Sequence, residues 1–560
     1  MGFESPAAIA SSVFKRAGPE ETPESQVTQH AFAGVFSGLV GLFIIFHWIR
    51  VLYIKRRRTK VGGSFEGSVA KTLRQTHEVV TSKLILGRFN GGRTLLYFTY
   101  WAVNLICYLT NVELNSLFSV VLRLGWMAVL NLCIVIFLSL KHTPLALLSV
   151  SNYDKLMPLH KVAGYTTIIA AWAHGIVFIK IKSDEGELHA VVTEDILTYG
   201  LSGLIVFAVI GLTTLPWFMK RGYELFHVIH ALLTVAILII IGLHRPQFDG
   251  KVLIAIVMAA AVTLLDRSLR FSRLVYFSFG NYATLRALPN GATRVRLHRS
   301  INAAQSSHAY LWIPSVRLFQ THPFTLVSTS PVEFVVRAHD GFTEALHKKA
   351  QAVGPETKLR ASINGPYGAP TESFSDYDNV FLVSGGSGGS FTFPLALDLI
   401  RRQLAEKTRI TFLWATRTKE SINWYRPEIE EILASGFVDL KVYVTNSQAK
   451  NGSSSFSTKT AASEHVNTKT SNGDNEAIEL TTPEPFDQGG KYAGLNIEFG
   501  RPDVDSLLSE FVATAASNQR VIVGACGPST LMSDVKKHAS RNAGRGDGAS
   551  VTYYNEEFGW

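Results

Sequence analysis

The chain lacks the residues from which disulfide or zinc-clip scaffolds are made. Its 560 residues include only three cysteines, Cys107, Cys133 and Cys526, far apart in sequence. That spacing excludes a disulfide framework and paired-cysteine zinc sites. Charged residues make up only 18% of the chain while hydrophobic ones reach 47%, which excludes a wholly disordered or solvated protein and points to a membrane part joined to a soluble part. The first 30 residues hold no early apolar run. No cleavable signal peptide is expected, and the first apolar helix would serve as signal anchor. No calcium loop of D-x-D-x-D-G type occurs. The net charge of +10 would suit nucleic acid, but the basic residues gather at the ends of apolar segments. Membrane topology explains them, and no nucleic-acid partner is expected.

Seven apolar segments near spanning length are present, at 31–54, 94–111, 121–140, 158–180, 198–217, 223–243 and 251–270. The second is short and rich in aromatics. The loop 55–93 carries ten Lys or Arg against two Glu, which makes it cytosolic by the positive-inside rule. Alternation then puts the N-terminus outside, with the 181–197 loop and its Asp184, Glu185, Glu187, Glu194 and Asp195. That loop would either gather cations or simply be solvated. The long C-terminal region falls in the cytosol.

Two of the apolar segments carry paired histidines, His160 with His174 and His230 with His244. Each pair is 14 residues apart, about 21 Å of rise and nearly four turns, so both members share one face of their helix. One helix intervenes, so the two histidine helices run parallel. His160 then faces His230 near the cytosol, and His174 faces His244 near the outside. Ionisable residues inside a bilayer are costly and usually functional, and two stacked His–His sites suit bis-imidazole ligation of two haem irons. His227 is rotated off the shared face by about a quarter turn and reads as an interface histidine.

After residue 275 the pattern turns to short alternating runs between Gly, Pro and Ser, which predicts a small β-barrel. It includes His322-Pro323-Phe324-Thr325, a strand entry able to offer donors to a flavin. Arg337 then precedes a strand-to-helix turn at Gly341-Phe342-Thr343, a seat for a pyrophosphate. Gly365-Pro366-Tyr367-Gly368 reads as a tight turn. From residue 379 an α/β pattern begins. NVFLVSGG is a buried strand, and Gly385, Gly386 and Gly388 open the following helix, where backbone N–H groups can approach a dinucleotide. Phe391 stands where a full glycine fingerprint would have its last glycine. The strand RITFLWATR ends at Arg417, placed to meet a ribose phosphate. Cys526, in a later Gly-Ala-Cys-Gly-Pro turn, either packs or faces a nicotinamide. Residues 446–490, rich in Ser, Thr and Asn, read as a disordered insertion.

These motifs together resemble the ferric reductase and NADPH oxidase superfamily, most of all fungal plasma-membrane ferric and cupric reductases. The resemblance rests on the paired histidines, HPFT at 322–325, GPYG at 365–368, SGGSGGSFTFPL at 384–395, the run ending at Arg417, CGP at 526–528 and the final EEFGW. It implies a multidomain membrane protein, with a short extracytoplasmic N-terminus (1–30), a transmembrane haem bundle (31–275), an FAD-binding barrel (276–375) and a ferredoxin-reductase-like NAD(P)H-binding α/β domain (376–560). By the same resemblance, His160, His174, His230 and His244 would bind two b-type haems. His322, Pro323, Phe324, Thr325, Arg337, Gly341 and Thr343 would hold FAD, and Gly385, Gly386 and Gly388 would hold NADPH. Cys526 would lie near the hydride-transfer centre, and Trp560 would cover the flavin ring and move for nicotinamide. The implied reaction passes electrons from cytosolic NADPH to Fe(III) or Cu(II), or their chelates, outside the plasma membrane, with a metal permease or ferroxidase as a coupled partner. Two alternatives stand beside it: an oxidase that reduces O2 to superoxide, and a non-enzymatic transporter or receptor. The family's usual Pro-Gly-Gln before the flavin segment is absent, which leaves the strand around AYLWIP open.

Overall fold

A computed structural model describes residues 23–57, 83–85, 89–142, 153–245, 251–368, 370, 372–404, 406–446, 495–517, 519–543 and 549–556. Trp560, nearly all of the 446–490 insertion and the first 22 residues lie outside them. The chain forms two compact units, 1–271 and 272–560.

The first unit is helical. Its long helices are α1 (Pro23–Arg57), α2 (Gly91–Leu109), α3 (Leu117–Ser139), α4 (Tyr153–Asp184), α5 (Asp195–Thr213), α6 (Tyr223–His244) and α7 (Lys251–Tyr276). All seven expected segments are helical, and six are long and apolar enough to cross a membrane. The exception is α2, whose apolar part, Thr94–Leu109, is shorter. Ile169 on α4, Leu232 on α6 and Leu264 on α7 are exposed, as side chains facing lipid would be.

Polar side chains buried in α3 tie α2 to it. The Tyr100 hydroxyl donates to Asn131 Oδ1, and Asn131 Nδ2 donates to Asn104 Oδ1 at 2.7 Å. The Arg123 guanidinium donates to the Cys107 carbonyl at 2.9 Å and the Asn111 carbonyl at 2.5 Å, satisfying acceptors that the end of α2 leaves open. The expected segment 198–217 ends earlier than its hydropathy suggests. Helix α5 stops at Thr213, and Pro216 opens a separate short helix, Pro216–Arg221. At that first position its missing N–H and fixed φ are harmless, whereas inside α5 they would break the ladder.

The second unit starts with two antiparallel sheets. Strands β1 (Tyr282–Leu288), β2 (Ala292–Leu297), β3 (His308–Trp312), β4 (His322–Thr325), β5 (Ser328–Thr329), β6 (Val332–Arg337), β7 (Leu359–Arg360) and β8 (Ser362–Tyr367) form them in the orders β5-β6-β2-β1-β7 and β8-β3-β4. Their shared core includes Leu285, Val295, Leu311, Phe334 and Ile363, closed by Phe342 and Leu346 of helix α8 (Gly341–Ala352). The run AYLWIP therefore contains a real strand, β3. The expected tight turn at 365–368 is different. Strand β8 runs through Gly365-Pro366 with a slip in register between Asn364 and Tyr367. Gly365 lies so close to β3 that a Cβ there would meet the Ala309 Cβ at 2.8 Å. Pairing to β3 overrides the local turn signal, and the chain turns at Gly368, with φ at 69°.

A six-stranded, fully parallel sheet follows, made of β9 (Asn379–Gly385), β10 (Arg409–Thr416), β11 (Val438–Val444), β12 (Asn496–Phe499), β13 (Arg520–Cys526) and β14 (Ser550–Glu556). Helices α9 (Gly389–Arg401), α10 (Arg426–Ser435), α11 (Val504–Ala513) and α12 (Ser529–Ala543) connect it. The strand order is β12-β11-β10-β9-β13-β14. Strand β9 is buried along its whole length, as a central parallel strand covered on both faces should be. The winding reverses between β9 and β13, and open α/β sheets bind ligands at the carboxyl ends of such a pair.

Candidate functional site

In the helical unit, the structure brings the four histidines together in two layers. The His160 and His230 ring centres are 6.4 Å apart, and those of His174 and His244 are 6.5 Å apart. An imidazole nitrogen binds a first-row metal at about 2 Å and its ring centre lies about 1.1 Å behind that nitrogen, so two imidazoles facing through one metal have centres about 6.2 Å apart. Three of the rings are anchored. His160 Nδ1 donates to the Val135 carbonyl at 3.0 Å, His174 Nδ1 to the Val121 carbonyl at 2.8 Å and His244 Nδ1 to the Ile196 carbonyl at 2.8 Å. A carbonyl only accepts, so in these rings the proton is on Nδ1 and the Nε2 lone pair is free for a metal. His230 Nδ1 is buried with no hydrogen-bond partner among the described residues, and its ring packs against Phe226. His227 stacks on Tyr223, 6.3 Å between centres. Spacing and donor set both fit two haem irons.

Sequence reasoning passed over the neighbours that hold these rings. Val121 and Val135 on α3 are 14 residues apart, matching the histidines of the antiparallel α4. Gly125 on α3 and Gly200 on α5 lie directly against His174 and His244. A glycine inside an apolar helix was the available signal, but the neighbouring helix was unknown.

Two lysines partly neutralise the acidic loop. Lys180 pairs with Asp184, and Lys182 pairs with Glu185 at 2.8 Å and Glu187 at 2.7 Å.

In the second unit, His322 and Phe324 lie on the edge strand β4, where Pro323 removes no needed ladder bond. The His322 ring stacks on Phe342, 4.4 Å between centres. Thr325 pairs across to His308, and Pro323 faces Tyr310, whose ring meets Tyr367 edge-on at 5.8 Å. Arg337 ends β6, and Gly341, with φ at 53°, turns the chain into α8. That left-handed conformation suits glycine, and the first-turn N–H groups beside Arg337 make a cradle for phosphate. Thr343 is used locally, its hydroxyl donating to the Asp340 carbonyl at 2.9 Å. Burial holds the Arg337 guanidinium below its ordinary pKa, and the positive charge of Arg417 adds to the effect. The two arginines, from barrel and sheet, thus face one region, as cations serving neighbouring phosphates would.

The glycine turn and the Cys526 turn meet at the switch point. Gly386 has φ at 56°, and its carbonyl accepts from Trp414 Nε1 at 3.0 Å. A Cβ on Gly388 would sit 2.3 Å from the Cys526 carbonyl oxygen, and one on Gly385 2.8 Å from Pro528 Cδ. Gly388 caps α9, so the turn offers N–H groups to a dinucleotide. Phe391, in the place of a further glycine, is fully buried in the core beside Tyr554. Cys526 is fully buried as well. The residues fit FAD on the barrel and a nicotinamide dinucleotide on the sheet.

A helical membrane unit followed by a flavin-type barrel and a doubly wound dinucleotide sheet defines a membrane-bound flavin-dependent oxidoreductase. Residues 124–241 match the family described as ferric reductase like transmembrane component, 277–371 match an FAD-binding domain, and 377–540 match the ferric reductase NAD binding domain. The chain is 25% identical over 470 residues to ferric reductase transmembrane component 1 of Schizosaccharomyces pombe, covering 75% of this chain and 76% of that one. It is also 25% identical over 482 residues to that organism's ferric/cupric reductase transmembrane component 2, covering 76% and 79%. A probable cell surface ferric reductase of Aspergillus oryzae is 27% identical over 58% of this chain and 46% of its own length. The chain belongs to the ferric reductase superfamily and is an NAD(P)H-dependent oxidoreductase, which sets aside the transporter or receptor alternative.

Proposed function

We propose that this chain takes electrons from NADPH on the cytosolic side and delivers them across the membrane to Fe(III) or Cu(II), free or chelated, outside. The observation that carries the reading is the pair of facing histidine layers, His160 with His230 and His174 with His244, at ring separations that suit one metal each. The names of the fungal relatives support the metal acceptor. The basic 55–93 loop supports an orientation with the second unit in the cytosol.

Gly385, Gly386 and Gly388 would bind the dinucleotide pyrophosphate through main-chain N–H groups, and Arg417 would meet its ribose phosphate. Arg337 and the Gly341 turn would hold the flavin phosphates, with His322 to Thr325 alongside the flavin. Trp560 would cover the flavin ring and yield to nicotinamide. When bound, FAD would divide a hydride's electron pair into single electrons, and two b-type haems would carry these across the bilayer one at a time. The carbonyls of Val135, Val121 and Ile196 keep a proton on Nδ1 of their histidines, so that Nε2 stays the ligand. Three of its five carboxylates share two lysines, Lys180 and Lys182, so the outer loop keeps a net negative charge.

The test is His174→Ala in membranes. One haem should be lost, and ferric reduction should stop while NADPH still reduces the flavin. Ferric reduction at the unmodified rate would overturn the reading. Superoxide formation without Fe(II) formation in the unmodified protein would move the acceptor to O2.

A further inference from the structure

The two outer histidines meet the same local arrangement on two different helices. His174 donates to the carbonyl of Val121, and Gly125 stands four residues further along α3. His244 donates to the carbonyl of Ile196, and Gly200 stands four residues further along α5. In an α-helix the Cβ at position i+4 leans back over the carbonyl at position i. A Cβ on Gly125 would lie 3.0 Å from both Cε1 and Nδ1 of His174. One on Gly200 would lie 2.8 Å from Cε1 and 3.1 Å from Nδ1 of His244. At both glycines the three nearest atoms all belong to the histidine ring, so the space serves the ring and not helix packing. Other glycines of this unit differ. Gly164 has nothing within 4 Å, and Gly203 and Gly211 meet only isoleucines. The inner layer also differs. Ser139 stands at i+4 from the Val135 carbonyl that holds His160.

We propose that Gly125 and Gly200 are positioning residues for the outer haem. Each missing Cβ leaves the space that the ligand ring occupies over its carbonyl, space that a methyl group would enter at 3.0 Å from the His174 ring and 2.8 Å from the His244 ring. His160, by contrast, reaches the Val135 carbonyl past Ser139 without such a gap. Each outer ring is then oriented by a helix that carries no ligand of its own. The two ring planes stand at 78° to each other. The proposal rests on His174 and His244 being the outer ligands.

The experiment uses the full chain in membranes, with haem counted against flavin and low-spin ferric signals read by electron paramagnetic resonance. Gly125→Ala and Gly200→Ala should each shift or remove one of two low-spin signals, leaving the other in place. At full loss the haem content halves. Gly164→Ala should keep both signals. Unchanged signals in both test variants would overturn the proposal. If Gly200→Ala does not accumulate, it is repeated in a His244→Ala background, where the ring is gone. There it should cost nothing further, and an equal loss of accumulation in both backgrounds would also overturn the proposal. A wild-type protein without two haem signals would sink the haem reading itself, a result distinct from failure of the glycines alone.

Discussion

Cys526 ends β13 with its side chain fully buried, and burial, helped by the negative charge of Glu556, pushes its thiol well up. It is a neutral packing group at physiological pH, so any part it takes beside a nicotinamide is that of an uncharged neighbour, not a thiolate. The pH dependence follows. The unfolded chain releases this proton near the thiol's ordinary value while the folded chain keeps it, so stability is intact below that value and falls as pH rises through it. Thermal unfolding of the purified protein, followed from neutral to alkaline pH, should show this loss, and Cys526→Ala should flatten it. An alkaline limb as steep in Cys526→Ala as in the parent would contradict the assignment. Residues of this kind are only half legible in a sequence. The CGP turn was visible, but whether its thiol packs or faces a ligand depends on Phe391 and Tyr554, which share its core and arrive on helix α9 and strand β14.

Elements carry the next lesson. The β9–α9 and β13–α12 turns are pressed together through Gly388, whose missing Cβ leaves room for the Cys526 carbonyl. A methyl group there collides with the Cys526–Gly527 backbone and should cost about 1–3 kcal/mol as the turns are forced apart. Gly388→Ala should therefore slow flavin reduction by NADPH in stopped flow while the haem content of the helical unit stays at the parent level. Normal hydride transfer would show that the turns tolerate separation. Helical and strand periodicity made these elements readable, including the central strand β9 with its apolar run 380–383. Their ends were less so. Pro216 ends the 198–217 segment early, and pairing to β3 draws Gly365-Pro366 into a strand although the dipeptide signals a turn. In both places a single residue or a distant partner outweighs the pattern around it.

At the scale of the whole chain, one guanidinium is the main ionic link between the barrel and the parallel sheet among the described residues, beside hydrogen bonds such as those of Asn290 to Thr418 and Ser421. Arg294 on β2 donates to Glu333 on β6 at 2.6 Å and to both oxygens of Glu428 at the start of α10, at 3.1 and 2.5 Å. Burial opposes its charge, yet Glu428 and Glu333 hold it above its ordinary pKa. Arg294→Met would strand the buried Glu428 carboxylate, Glu333 keeping Arg296 as a partner, and should lower the stability of the second unit by about 3–5 kcal/mol, read as an earlier loss of bound flavin on heating. Removing Glu428 as well, as Gln, should recover part of that. No recovery would mean the arginine acts by packing alone. Such a latch joins positions more than a hundred residues apart, so no local pattern announces it. The histidine layers are the opposite case, because their meaning lies in a spacing.

That spacing has an electrical consequence. The layers stand 14 residues apart on both α4 and α6, about 21 Å of rise in a hydrocarbon core about 30 Å thick. On the proposed orientation, an electron moving outward between them falls through about two thirds of the membrane voltage. A full crossing is worth about 2.3 kcal/mol per charge for each 100 mV, so this passage alone draws about 1.5 kcal/mol per 100 mV from an inside-negative cell. On that reading the resting voltage would favour the reaction, and every turnover would depolarise the membrane.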